Sequence, residues 1–162
     1  MQNYTVDRKW ADQFLPQIET AIRRVAGKIL SFQVSTDQED CEEATDYVFI
    51  IDTGKIACRI RRPECTYRDI TIRAYLSNSA KTELAKLRSG VGARWYFYAW
   101  TYQKNITRYV LVDIEKMRQK GFFEQNRGII KNKDGQTGFV AYSIDELNDK
   151  GCVVFDSKKP KW

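Results

Sequence analysis

The chain has 162 residues, a formal net charge of +6 and no histidine. That length is most simply one domain with room for a real core. The lack of histidine removes Ser-His and Cys-His nucleophilic pairs and the usual general base, so acid–base chemistry would have to run on carboxylates, lysine or metal-bound water. A basic balance favours acidic partners such as nucleic acid or nucleotides. No apolar run has the length of a membrane-crossing helix, and MQNYTVDRKW carries no signal-peptide core, so a cytoplasmic protein without membrane contact is expected. Cys41, Cys58, Cys65 and Cys152 show no paired spacing. They read as thiols in a reducing compartment, with no metal site expected.

In chain order, Asp7–Gly27 reads as helix, with Pro16 starting or kinking it and Gly27 ending it. Ile18, Ala21, Ile22 and Val25 form its apolar stripe. Glu19 lies beside that stripe, either as a surface partner of Arg23 or as a carboxylate pointed toward a sheet. Leu30–Thr36 is a short strand, and Asp37–Glu43 (DQEDCEE) is an acidic loop.

Three consecutive strands are expected over Asp46–Ile51, Lys55–Arg62 and Tyr67–Tyr75, the first two joined by a tight turn at Gly54. Strand side chains alternate faces. Ile56, Cys58 and Ile60 therefore share one face, while Ala57, Arg59 and Arg61 share the other. In the third strand Ile70, Ile72, Ala74 and Leu76 fall together, opposite Asp69, Thr71 and Arg73. Pairing these strands with apolar faces aligned brings Arg59, Arg61 and Arg73 onto one surface, where carboxylates or a bound polyanion must offset their repulsion.

Further on, Ser79 can cap a helix running to Ser89, with Gly90 past its end and Ala80, Leu84 and Leu87 as the buried stripe. Lys81, Thr82 and Glu83 occupy its first turns. Arg94–Tyr102 (RWYFYAWTY) is an aromatic strand explained mainly by core packing. Tyr109–Phe123 and Phe139–Val154 echo one another as strand, cap, short helix, glycine, strand. Asp113 caps the first helix, and Ser143 with Glu146 makes a capping box in the second. Gly128–Gly138 is a polar loop. The expected outcome is a single mixed α/β (α+β) domain over 1–156, a central sheet with flanking helices, and a basic tail over 157–162.

The order helix, strand, hairpin, strand, helix, strand over Asp7–Trp100 resembles the restriction-endonuclease-like family, the PD-(D/E)XK nucleases. The resemblance implies a helix glutamate at Glu19 and a metal-holding aspartate at Asp46. Arg59-Ile60-Arg61 stands where that family has acid-x-lysine. A hydrolase of this kind needs clustered carboxylates to hold Mg²⁺, so the departure implies a degenerate centre without a strong metal site or cofactor. If activity survives, Asp46, Glu19 and Asp69 with Mg²⁺ would carry it. The segments ATDYV, ACRIRR, DITIRA and AKTELAKLRSG are also similar to uncharacterised phage and prophage proteins, which implies a phage setting and adds Lys81 and Glu83 as companions of the arginines.

Three functions follow as expectations. One is a catalytically degenerate protein binding DNA, RNA or nucleotide phosphate through Arg59, Arg61, Arg62, Thr71, Arg73 and Lys81, since the planar arginine fork suits phosphate. Another is an active metal-dependent nuclease. The third is counter-defence by contact with a host protein complex. In a competing structural account the same arginines are buried in ion pairs with Asp46, Asp69, Glu19 or Glu83.

Overall fold

The computed structural model describes residues 4–26, 29–34, 47–51, 53–133 and 135–158. Its N-terminal helical region is two helices rather than one, α1 (Tyr4–Asp12) and α2 (Leu15–Ala26). Phe14 fills the break, fully buried. Pro16 follows at the second position of α2, where its missing N–H leaves no bond unmade. β1 (Ile29–Val34) pairs antiparallel with β2 (Tyr47–Ile51), which turns through Gly54 at φ 128° into β3 (Gly54–Arg61). The apolar alternation of β3 is as expected. Ile56 and Cys58 are fully buried on the face that receives Ile18 and Ile22 of α2, and Ala57 belongs to the core on the other face.

The third expected strand corrects the meander. β4 (Asp69–Leu76) does not pair with β3 at all. It pairs antiparallel with β8 (Thr137–Ser143), which also carries the short β7 (Ile130–Lys131), so these three form a second sheet in the order β4-β8-β7. The place beside β3 is taken by the aromatic strand β5 (Trp95–Tyr102), running parallel to it. β6 (Asn105–Asp113) and β9 (Val153–Asp156) complete a six-stranded mixed sheet in the order β1-β2-β3-β5-β6-β9. The physical reason is in β5. Its alternation gives Phe97 and Ala99 to the α2 side, and Tyr96, Tyr98 and Trp100 to the other, so both its faces are apolar or aromatic. A strand buried on both faces belongs in the interior of a sheet. β4, with one polar face, fits an outer layer.

Three short helices join β4, β7 and β8 in that outer layer: α3 (Glu83–Arg88), α4 (Ile114–Gln119) and α5 (Ile144–Asp149). Leu84, Leu87, Met117 and Leu147 from the helices and Ile70, Ile72, Val140 and Tyr142 from the small sheet close one core against the large sheet. Thr82, not Ser79, is the N-cap of α3, its hydroxyl accepting from Ala85 N at 3.3 Å. Ser79 lies outside the helix with φ 58°. Asp113 and Ser143 cap α4 and α5, but the expected capping box is not made: Ser143 Oγ accepts from Asp145 N and the Glu146 carboxylate is taken by Arg127. Gly121 and Gly151 end the two helices at φ 72° and 70°. No described helix is long and apolar enough to cross a membrane.

Layering of β4 over the large sheet makes a direct prediction. Ile72→Ala, at a fully buried position, should cost about 2–5 kcal/mol of stability through lost burial and the cavity left behind. Val154→Ala, at an exposed edge position, should stay within about 0.5 kcal/mol. Urea denaturation of the two variants checks the contrast, and equal costs would contradict this layering.

Candidate functional site

β4 is the outermost strand of its sheet, so one row of its backbone groups has no neighbouring strand among the described residues. Buried backbone N–H and C=O groups need partners. Here side chains from the large sheet and from α3 supply them. Tyr98 Oη accepts from Thr71 N at 3.3 Å and donates to Thr71 O. Arg59 Nη1 also donates to Thr71 O, and to Tyr98 Oη at 2.8 Å. Arg73 N donates to Glu83 Oε2 at 2.7 Å. The strand edge is thus stitched to the face of the sheet below by side chains.

Arg59 and Glu83 are the charged centre of that seam. Arg59 Nη2 meets Glu83 Oε2 at 2.5 Å, with side chains 10% and 2% exposed. Tyr96 Oη donates to the other carboxylate oxygen, Oε1. Burial by itself works against the Arg59 cation, but Glu83 and the phenol oxygens of Tyr98 and Tyr96 outweigh it, so Arg59 holds its proton more tightly than a free arginine. Burial likewise drives the Tyr96 hydroxyl well above its ordinary value, with Glu83 adding to the effect. It also raises Tyr98, against the pull of Arg59 and Arg61. Of the carboxylates weighed as arginine partners from the sequence, Glu83 takes Arg59 and Asp69 takes Arg61.

Arg61 plays a different part from Arg59 although only one residue separates them. As the last residue of β3 it reaches the rim of the seam. Its Nη2 donates to Asp69 Oδ1 at 3.0 Å and to Thr71 Oγ1 at 3.2 Å, and its Nη1 approaches Cys65 Sγ at 3.3 Å. Burial raises the Asp69 carboxyl above its ordinary value, and Arg61 opposes that shift. Arg61, Asp69 and Thr71 form one wall of a pocket of about 410 Å³, which lies over the outer face of the small sheet. Tyr67, Lys131, Asn132 and Lys133 also line it, with Ile130 and Phe139 as its aliphatic and phenyl members. Three cations thus face one carboxylate among its lining residues.

The remaining sequence candidates disperse. Arg73 falls on the outer face of β4 by alternation with the buried Ile70 and Ile72. Arg62 lies on the opposite side of the large sheet, its guanidinium carbon 4.9 Å from the Trp10 ring centre. Lys81 is exposed just before α3, its Nζ donating to Ser89 Oγ at 3.2 Å. Glu19 sits on α2, whose buried residues pack on the face opposite Arg59. Asp46, the acidic loop Asp37–Glu43 and Gly27 lie outside the described residues. Among the described residues no three Cys, Asp or Glu side chains gather as a metal-holding group.

Tyr67, Lys131 and Lys133 were not singled out from the sequence. The signal for the lysines is the K-x-K spacing ahead of the Gly135 turn (KNKDGQTG), since a hairpin there brings them onto a strand edge. A second pocket, of about 380 Å³ between α2 and β6, has Arg24 as its only charged lining residue among the described residues.

Two outcomes follow from the seam. Arg59→Ala and Glu83→Ala should each cost about 3–5 kcal/mol, because each leaves a buried charge without its partner. The double variant should cost less than the sum by about 0.5–3 kcal/mol, and denaturant titration of the cycle reads this. In the second outcome Tyr96, Tyr98 and Tyr142, the last raised by burial to about 12, keep their protons above the pH at which unfolded tyrosine ionises, about 10. The unfolded chain then binds fewer protons than the folded one, so stability falls as pH rises from about 10 toward 12. Phenolate absorbance followed beside circular dichroism should show these rings ionising only as the fold is lost. All nine tyrosines ionising before unfolding would contradict it. No protein-family model and no curated protein matches the chain.

Proposed function

We propose that this chain binds nucleic acid through its phosphates, at the pocket walled by Arg61, Lys131 and Lys133. The single observation that carries the reading is the make-up of that pocket: Arg61 from the large sheet, Lys131 from the small one and Lys133 just past β7 are among its lining residues, and Asp69 is the one carboxylate among the described lining residues. Arg61 is already oriented by Asp69, Thr71 and Cys65, so a phosphate would share its fork with Asp69 rather than meet a free guanidinium. The phosphate grip expected from the sequence is thereby narrowed. Arg61 and Thr71 stay in it, Arg73 stands on the same outer face, and Arg59 belongs to the seam.

The element order supports a restriction-endonuclease-like arrangement in part. α2, β1, the β2–β3 hairpin, β4, α3 and β5 follow one another as that resemblance implies. β4 departs from it by leaving the large sheet. The nuclease alternative has less support in the geometry, because Glu83 and Asp69 are each engaged by an arginine and Glu19 is on the far face. A degenerate, non-cleaving relative of such enzymes, in the phage setting implied by the sequence, is the reading we favour.

Binding should weaken steeply with salt, since each phosphate contact releases counterions at a slope of about −0.7 to −0.9 in log K per log salt. Lys131→Ala and Lys133→Ala should each flatten that slope by about one contact and leave the melting temperature unchanged. Arg61→Ala should weaken binding by about 1–3 kcal/mol. Anisotropy titrations at several salt concentrations check all three, and salt-independent or absent binding by the parent chain would reject the proposal.

A further inference from the structure

Tyr67 is the most exposed large hydrophobic residue among the described residues, at 71%. Its place is nonetheless fixed. Trp100 Nε1 donates to Tyr67 O at 3.0 Å, which ties the loop between β3 and β4 to the strand below. A turn bond from Cys65 N to Arg62 O at 2.9 Å holds the preceding residues. An exposed aromatic ring on an anchored backbone, lining a pocket with Arg61, Lys131 and Lys133, is arranged to meet something flat. Lys131 lines the same pocket from β7, which is held by its pairing with β8, while its ammonium rests over the Tyr75 ring, 4.7 Å from Nζ to the centroid. Tyr67 and Arg61 on one framework and the two lysines on another therefore line one pocket.

We infer that this pocket selects unpaired nucleic acid, taking one splayed nucleotide whose base stacks on Tyr67 while Arg61, Lys131 and Lys133 hold the flanking phosphates. This rests on the phosphate-binding reading above. In a duplex the base faces are covered by their neighbours in the stack, so a side-chain ring finds only base edges, sugar and phosphate. A single strand offers each base as a free π-face, and stacking on it is tolerant of sequence. At about 410 Å³ the pocket falls within the span of small-molecule sites, roughly 300–1,000 Å³, which suits one nucleotide and not the width of a helix. Ile130 and Phe139 among its lining residues add apolar surface for a base or sugar.

The test is anisotropy with the full chain and one labelled oligonucleotide, offered as a single strand and annealed to its complement at the same low salt. The single strand should bind at least about tenfold tighter than the duplex. Tyr67→Ala should lose about tenfold in single-strand affinity with melting unchanged, and Tyr67→Phe should bind like the parent. Duplex bound as well as or better than single strand overturns the inference, as does single-strand affinity untouched by Tyr67→Ala. In either case a loss in Lys131→Ala and Lys133→Ala leaves the phosphate-binding reading standing. No binding of either form by the parent chain overturns both.

Discussion

The structure depends on how the unaccompanied edge of β4 is satisfied. An edge strand laid against the face of another sheet would bury bare N–H and C=O groups, each costing about 1–3 kcal/mol when left unmatched. Thr71 and Arg73 would carry that cost. Tyr98, Arg59 and Glu83 remove it by presenting hydroxyl, guanidinium and carboxylate where a neighbouring strand would present peptide groups. The second layer can therefore sit close enough for Ile70 and Ile72 to share a core with Leu84, Leu87 and Tyr142. A buried ion pair is poor evidence of net stability, because desolvation cancels much of the attraction. Its use here is positional, since only one placement of β4 along the sheet aligns all of these bonds.

The same seam explains why neighbouring arginines on one face have separate roles. Arg59 pairs in register with Tyr98, so it lies beneath β4 and among phenols. Arg61 is level with Trp100, at the strand's end, where β4 begins and the loop through Tyr67 passes. Moving two residues along a strand shifts a side chain by nearly 7 Å, about 3.3 Å per residue. That shift separates a charge used to assemble layers from one held at a pocket wall.

Much of this was legible in the sequence. Period-two alternation placed Ile56 and Cys58 opposite Arg59 and Arg61, the glycine hairpin joined β2 to β3, and Asp113 and Ser143 marked helix starts. Each of these rests on local chemistry. The partner of β4 was not legible, because alternation tells which face of a strand is buried and not which strand lies alongside. Ile70, Ile72 and Ala74 suit β8 as well as β3. The same gap hid the pocket, since Lys131 and Lys133 approach Arg61 only once β7 has paired with β8. Glu83 was in view as a companion of the arginines, yet its depth of burial follows from the position of α3 under β4, a long-range fact.

The pairing of β4 with β8 joins Asp69 to Ser143 and Leu76 to Thr137, across most of the chain's second half. β1, β2, β3, β5 and β6 all precede Ile114. Closing so long a loop has an entropic cost that must be met before the contact gives anything back. During synthesis the first five strands of the large sheet can assemble while β8 has yet to appear. Arg59 and Glu83 then remain hydrated until the last third of the polypeptide arrives, and their desolvation falls in the final step of assembly. The wall of the pocket contributed by β4 and β7 is therefore completed only after most of the large sheet has been made.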